Sequence, residues 1–195
     1  MIRSALSLAL AATVIALAGC GSAPPEHYYT LNPVAAPANV TPSNLAIAIA
    51  VVSIPPAVDR PQFVINQPDN SLSLLEQQRW AAPLKNQIPA TLAVDLSRIL
   101  GTPNVTAWPQ LPLPTTSWTI SVNIQRFDSI PDKMAVQEAS WQILDKTSTP
   151  VKSGRSAYEE PLQGTGYAAM AAAHERALGK LAAEIAAAIP ATTGK

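Results

Sequence analysis

An apolar run from Ala5 to Leu17, interrupted only by Ser7 and Thr13, follows Arg3 and stops at Leu17-Ala18-Gly19-Cys20. A positive charge, a short apolar stretch and small residues at a cleavage point are the three regions of an export signal. Small side chains at 18 and 19 suit a signal peptidase, and the thiol of Cys20 can be joined to diacylglycerol. Residues 1–19 therefore read as a lipoprotein signal peptide and Cys20 as the lipid-attachment residue at the head of the mature chain. The run is shorter than the ~20 apolar residues that span a bilayer. The next apolar stretch, Leu45 to Ala57, holds Ser53, Pro55 and Pro56. The expected protein is thus anchored and not spanning, with each buried acyl methylene contributing about 0.8 kcal/mol to the hold. Gly21 stands where an Asp would favour retention at the inner membrane in enteric sorting, which points to the outer membrane.

What remains after the signal is 176 residues, enough for one domain with a real core. Thirteen Lys and Arg balance thirteen Asp and Glu, and no basic run occurs. That disfavours nucleic acid and broad anionic surfaces as partners. The single cysteine is the one expected to be acylated, so no disulfide is expected, and two histidines give little material for a metal site. Residues 20–27 read as lipidated cysteine and short tether. A leash of Gly21 to Glu26 in extended proline-rich chain reaches on the order of 20 Å, which keeps the 28–195 domain close to its membrane.

Along that domain, His27 to Leu31 is a short β-prone run. Leu45, Ile47, Ile49 and Val51 alternate with alanines as in a strand covered on both faces. Arg60 to Asn66 and Leu72 to Leu75 read as two more strands, completing a small antiparallel meander with the first. Trp80, Leu84, Ile88, Leu92, Leu96 and Leu100 recur every four residues, with Gly101 as C-cap, and predict a helix. Pro89 within it predicts a kink, or regular helix only from there on. Trp118, Ile120, Val122 and Ile124 alternate with polar residues, the pattern of a half-buried strand, and 135–144 with 151–158 reads as a hairpin. Tyr167, Met170, His174, Leu178, Leu181, Ile185 and Ile189 line one side of a last helix, from Gly166 to Ile189. The sum is an α+β domain: an antiparallel or mixed sheet with two amphipathic helices packed on one face.

No nucleophile with a base, phosphate loop or metal-ligand spacing is recognisable, and no catalytic residue, metal or cofactor is assigned. His174 lies on the apolar stripe and reads as a core histidine; His27 sits in or beside the tether. Glu159 and Glu160, adjacent on a strand, point to opposite faces and read as solvated loop charge, while Gly164-Thr165-Gly166 frees the chain before a helix. Two clusters are candidates for contact with a partner. Asp59, Arg60 and Gln62 flank Pro61 ahead of a strand, which is either a turn with a local ion pair or a contact surface. Glu76, Arg79 and Trp80 combine a charge pair with a large aromatic that is either an interface anchor or the lid of its own core.

Tyr28-Tyr29-Thr30-Leu31 after the lipidated cysteine, then Asp59-Arg60-Pro61-Gln62 with its strand, then Glu76, Arg79-Trp80-Ala81 and Pro83-Leu84, is an ordered set that resembles the PqiC family. These are auxiliary lipoproteins of ABC-type lipid transport systems. Phe63, where an aliphatic is usual, and Pro89 depart from the pattern. The resemblance implies a periplasm-facing, non-catalytic lipoprotein that works with an MCE-domain protein, and homo-oligomerisation is compatible with such a coupling role. The other functions in play are a small-ligand-binding lipoprotein that delivers cargo to a permease and a lipoprotein hydrolase. The first needs a concave apolar site, the second a usable base beside a nucleophile.

Overall fold

The computed structural model describes residues 24–37, 44–110, 113 and 115–190; Cys20 lies outside them. Among the described residues, eight strands and two helices follow the order β1 His27–Tyr29, β2 Ile47–Ser53, β3 Gln62–Asn66, β4 Leu72–Trp80, α1 Leu84–Leu100, β5 Val105–Ala107, β6 Trp118–Ile130, β7 Met134–Leu144, β8 Pro150–Pro161 and α2 Gly166–Ala188. The α+β class with mixed sheets and two helices is as expected. There are two sheets, however: a three-stranded one ordered β1-β4-β3 and a five-stranded one ordered β5-β2-β6-β7-β8.

The large sheet grows from its longest strands. β6 pairs antiparallel with β7 and β7 with β8, through turns short enough for hairpins. In the second turn, Asp145 Oδ1 accepts the Thr147 and Thr149 amides at 2.8 and 3.0 Å, an Asx arrangement that sets up the left-handed residue Ser148 at φ 61°. β2 then adds parallel to β6 and β5 parallel to β2. This corrects the expected meander, because β2 does not pair with β3; of its three strands β3 and β4 alone form a hairpin. The short β5 falls in the proline-rich stretch.

Ile47, Ile49, Ile120, Ile124 and Ile143 of the large sheet share one core with Leu92, Leu96, Leu178, Leu181 and Ile185 of the helices. α1 lies against β2 and β5, α2 against β7 and β8, and the helices touch each other. The opposite face is polar and open, a hollow of about 560 Å³ lined by Ser121, Asn123, Ser140, Gln142, Ser153 and Arg155 among others. α2 is also pinned to the edge strand by side chains. Glu160 receives Arg176 Nε at 3.3 Å and Lys180 Nζ at 2.5 Å, and Tyr158 donates to Glu184. Glu160 is thus a buried strand residue and not solvated loop charge, because α2 covers its face of β8; Glu159, on the other face, is exposed.

α1 begins after Pro83, so Trp80 is the last residue of β4 and not part of the helix. Pro89 is buried inside a helix that already runs from Leu84, at the cost of one backbone hydrogen bond. Gly101 closes α1 in the left-handed conformation at φ 62°, its N–H bonded to Ser97 O.

Between β1 and β2, residues 31–35 run as a belt along the two helices. Leu31 N–H donates to Gln87 Oε1 and Asn32 N–H to Glu175 Oε1, each at 2.8 Å. Ala35 N–H donates to Asp95 Oδ1 at 2.8 Å, and Arg98 holds Pro33 O at 3.0 Å. Extended chain without a sheet partner must satisfy its amides elsewhere, and here helix side chains serve. Burial raises the pKa of Asp95, whose second oxygen has no partner. On α2, Gly179 leaves room for the belt: a Cβ there would meet Val34 Cγ2 at 2.7 Å.

Gly154 on β8 has a comparable reason. Trp141 lies across it, and a Cβ would stand 2.3 Å from ring atom Cζ2. The indole donates to Ser156 Oγ at 3.1 Å, which fixes the ring in place. Gly154→Ala is expected to destabilise the fold by about 1–3 kcal/mol through overpacking, read as a lower urea midpoint at unchanged slope; an unchanged midpoint would show that the ring does not occupy that space.

Candidate functional site

β4 is the middle strand of the small sheet, with Arg79 paired to Tyr28 on one side and Gln62 on the other. The β3 register jumps from Gln62↔Arg79 to Phe63↔Leu75, so Glu76, Gln77 and Gln78 bulge out of β4. The bulge returns Glu76 to its own strand's arginine: Arg79 Nε donates to Glu76 O at 2.9 Å, and NH2 stands 3.5 Å from Glu76 Oε2. The same Nε lies 3.2 Å from Glu26 Oε1, and Gln62 Nε2 donates to Glu76 Oε2 at 3.3 Å. Tyr28, 60% exposed, donates its hydroxyl to Glu26, and the hydrogen bond to that carboxylate is the first cause of its raised pKa. Gln62, Glu76 and Arg79 are therefore brought together as one surface cluster, joined by Glu26 and Tyr28. Glu26 carries no periodic signal; its place just ahead of the β-prone run was the one available clue.

Asp59 and Arg60 belong elsewhere. Val58 N–H and Asp59 N–H both reach Pro55 O, at 3.1 and 3.2 Å, folding the 55–59 turn toward the loop between β4 and α1. The two residues line a cavity of about 320 Å³ with Pro61, Ala82, Pro83 and Lys85. Asp59 pairs with Lys85, 3.9 Å away, and not with its neighbour Arg60. Trp80 supplies a wall of this cavity but is 4% exposed. It stacks on Phe63 at 4.5 Å and 22°, so the aromatic that sequence left open between anchor and lid is a core residue.

His174 is fully buried and stacks on Phe127 at 3.8 Å. Gln137 Nε2 faces both His174 O at 2.9 Å and Nδ1 at 3.1 Å. Two acceptors there require the amide nitrogen on that side, so Nδ1 is the acceptor and Nε2–H donates to Ser129 Oγ at 2.9 Å. Burial holds the ring's pKa down to about 3. The Ser129–His174 pair resembles a nucleophile with its base, but at 2% and 0% exposure neither atom can meet a substrate. His27 starts β1 and is exposed. Among the described residues, no three His, Cys, Asp or Glu side chains are grouped to hold a metal ion, and no helix is long and apolar enough to cross a membrane.

The small sheet thus carries a polar surface cluster on β4 and a small charged cavity at the loop between β4 and α1. The family model for the ABC-type transport auxiliary lipoprotein component matches residues 29–186, and the chain belongs to that family. Two crystal structures share the fold. One, of an uncharacterised protein, is 21% identical at a TM-score of 0.70 and covers 86% of this chain and 100% of its own. The other, a Xanthomonas campestris protein of the DUF330 family, is 19% identical at 0.67, covering 82% and 92%. No curated protein sequence matches.

The buried histidine has a measurable consequence. Its folded pKa lies below the ordinary 6.5, so on acidification the unfolded ring takes a proton first. Its contribution is whole above pH 6.5 and is lost as pH falls toward about 3, with a slope approaching 1.4 kcal/mol per pH unit. Chemical denaturation between pH 6.5 and 4.5 should show a steeper decline for the wild type than for His174→Gln; parallel slopes would place the ring in solvent.

Proposed function

We propose that this chain is a non-catalytic subunit of an MCE- and ABC-type intermembrane lipid transport system, docking the periplasmic assembly at the outer membrane. Residues 1–19 are removed as signal, Cys20 carries the lipid, 20–27 form the short tether, and 28–195 are the docking domain. The observation that carries the reading is the place of the polar cluster. Glu26, six residues after Cys20, is ion-paired at 3.2 Å to Arg79, so the strand nearest the anchor and the surface cluster are one piece. A partner gripping Arg79, Gln62 and Glu76 is then held within about 20 Å of the bilayer by the leash. Family membership supports the transporter assignment; the MCE partner, the outer membrane and self-assembly into a ring belong to this proposal.

Affinity purification of the lipidated protein after crosslinking in intact membranes tests it, with enrichment of an MCE-domain partner expected and its absence fatal to the reading. Arg79→Glu should weaken that capture while leaving the thermal midpoint within a few degrees, since an exposed pair contributes about 0–1 kcal/mol. Unfolding of the variant would make Arg79 structural. Cys20→Ser should release the protein from the membrane and impair transport; full complementation by the released form would reduce the anchor to an address.

A further inference from the structure

Arg60 is the anomaly of the molecule. Its Nε is sealed from solvent without a hydrogen-bond partner, and among the described residues no ion pair or hydrogen bond reaches any part of its guanidinium. The side chain as a whole is half-buried, so its other nitrogens reach water, while the Nε–H cut off from it is costly to leave unanswered. It lines the 320 Å³ cavity, whose floor is the start of α1, and there the helix adds charge of the same sign. α1, 17 residues long, has Pro83 at its N-cap without a side-chain cap and no acidic residue in its first turn, which leaves Asp59 as the one carboxylate lining the cavity at its positive end. Lys85 adds a second cation, only loosely engaged by Asp59 at 3.9 Å, with the two side chains 58% and 34% exposed.

We propose that this cavity binds a phosphate group, with Arg60 and Lys85 as its charged ligands. The group fits as a phospholipid headgroup or as free phosphate. Tyr29 O accepts Ala81 N–H at 2.8 Å, so the cavity mouth adjoins the end of β1, within reach of the bilayer through the leash. Zero net charge argues against broad adsorption to an anionic surface, whereas a single headgroup needs only this local excess. The proposal requires no protein partner, so it stands or falls apart from the docking reading.

The test uses the mature lipidated chain in neutral detergent and follows ³¹P line broadening, first of inorganic phosphate and then of dihexanoyl-phosphatidylglycerol. Binding is expected, weakened about tenfold or more by Arg60→Gln and by Lys85→Gln. Asp59→Asn should tighten it, because that carboxylate competes for Lys85; a purely structural Asp59 would give no gain. Should Arg60→Gln fail to fold, Lys85→Gln and Asp59→Asn decide. Tighter binding of the lipid than of inorganic phosphate assigns the headgroup as the source, and equal binding assigns free phosphate. No binding of either probe, or unchanged affinity in folded Arg60→Gln and Lys85→Gln variants, overturns the proposal.

Discussion

A chain of aromatic rings centred on Phe63 and Trp80 ties the small sheet to the large one. The Phe63 ring stacks on Trp80 at 4.5 Å, meets Tyr29 edge-on at 5.7 Å and lies 5.9 Å from Tyr167 of α2. Trp80 passes the contact to Phe127 of β6 at 6.3 Å, and Phe127 stacks on His174. Three short strands do not stand alone in water. This aromatic chain, worth about 0.5–1.5 kcal/mol per pair beyond the area it buries, fastens them to the large sheet. The expected aliphatic at position 63 could not stack in this way.

The polar interior follows from that union. Where β3 meets β6, Ser129 N–H donates to Asn66 Oδ1 at 3.0 Å, and the hydroxyl of the same serine satisfies His174. On the other side of the helices, the belt is tied by Asp95, Arg98 and Glu175. Such groups stabilise little in themselves but are costly to orphan, so they fix which chain passes where. The belt in turn sets the course of the chain from β1 across the two helices.

The elements legible in the sequence are those whose partners are local. The alternation at 118–124 and the stripe from Tyr167 to Ile185 appear as β6 and α2 because one buried face dictates each period. β2 and β3 were misjoined because parallel pairing to β6, some seventy residues away, leaves no local mark. Trp80 fell on the four-residue stripe of α1 by coincidence of spacing, and the apolar stack on Phe63 decided its fate. Of the candidate site, the Glu76–Arg79 pair was legible from its spacing, whereas Gln62, grouped in the sequence with Asp59 and Arg60, joins that pair only through the β3–β4 pairing. The unpartnered state of Arg60 and the approach of Lys85 and Glu26 depend on tertiary placement and could not be read from spacing.

The proposed docking site on β4 requires that the small sheet share the stability of the large one. Native-state hydrogen exchange on the mature chain measures this directly. The account predicts that the amides of Phe63, Val64 and Ile65 open only with the same free energy as those of β6 and β7. Exchange of the small sheet at much lower free energy, with the large sheet still protected, would contradict it.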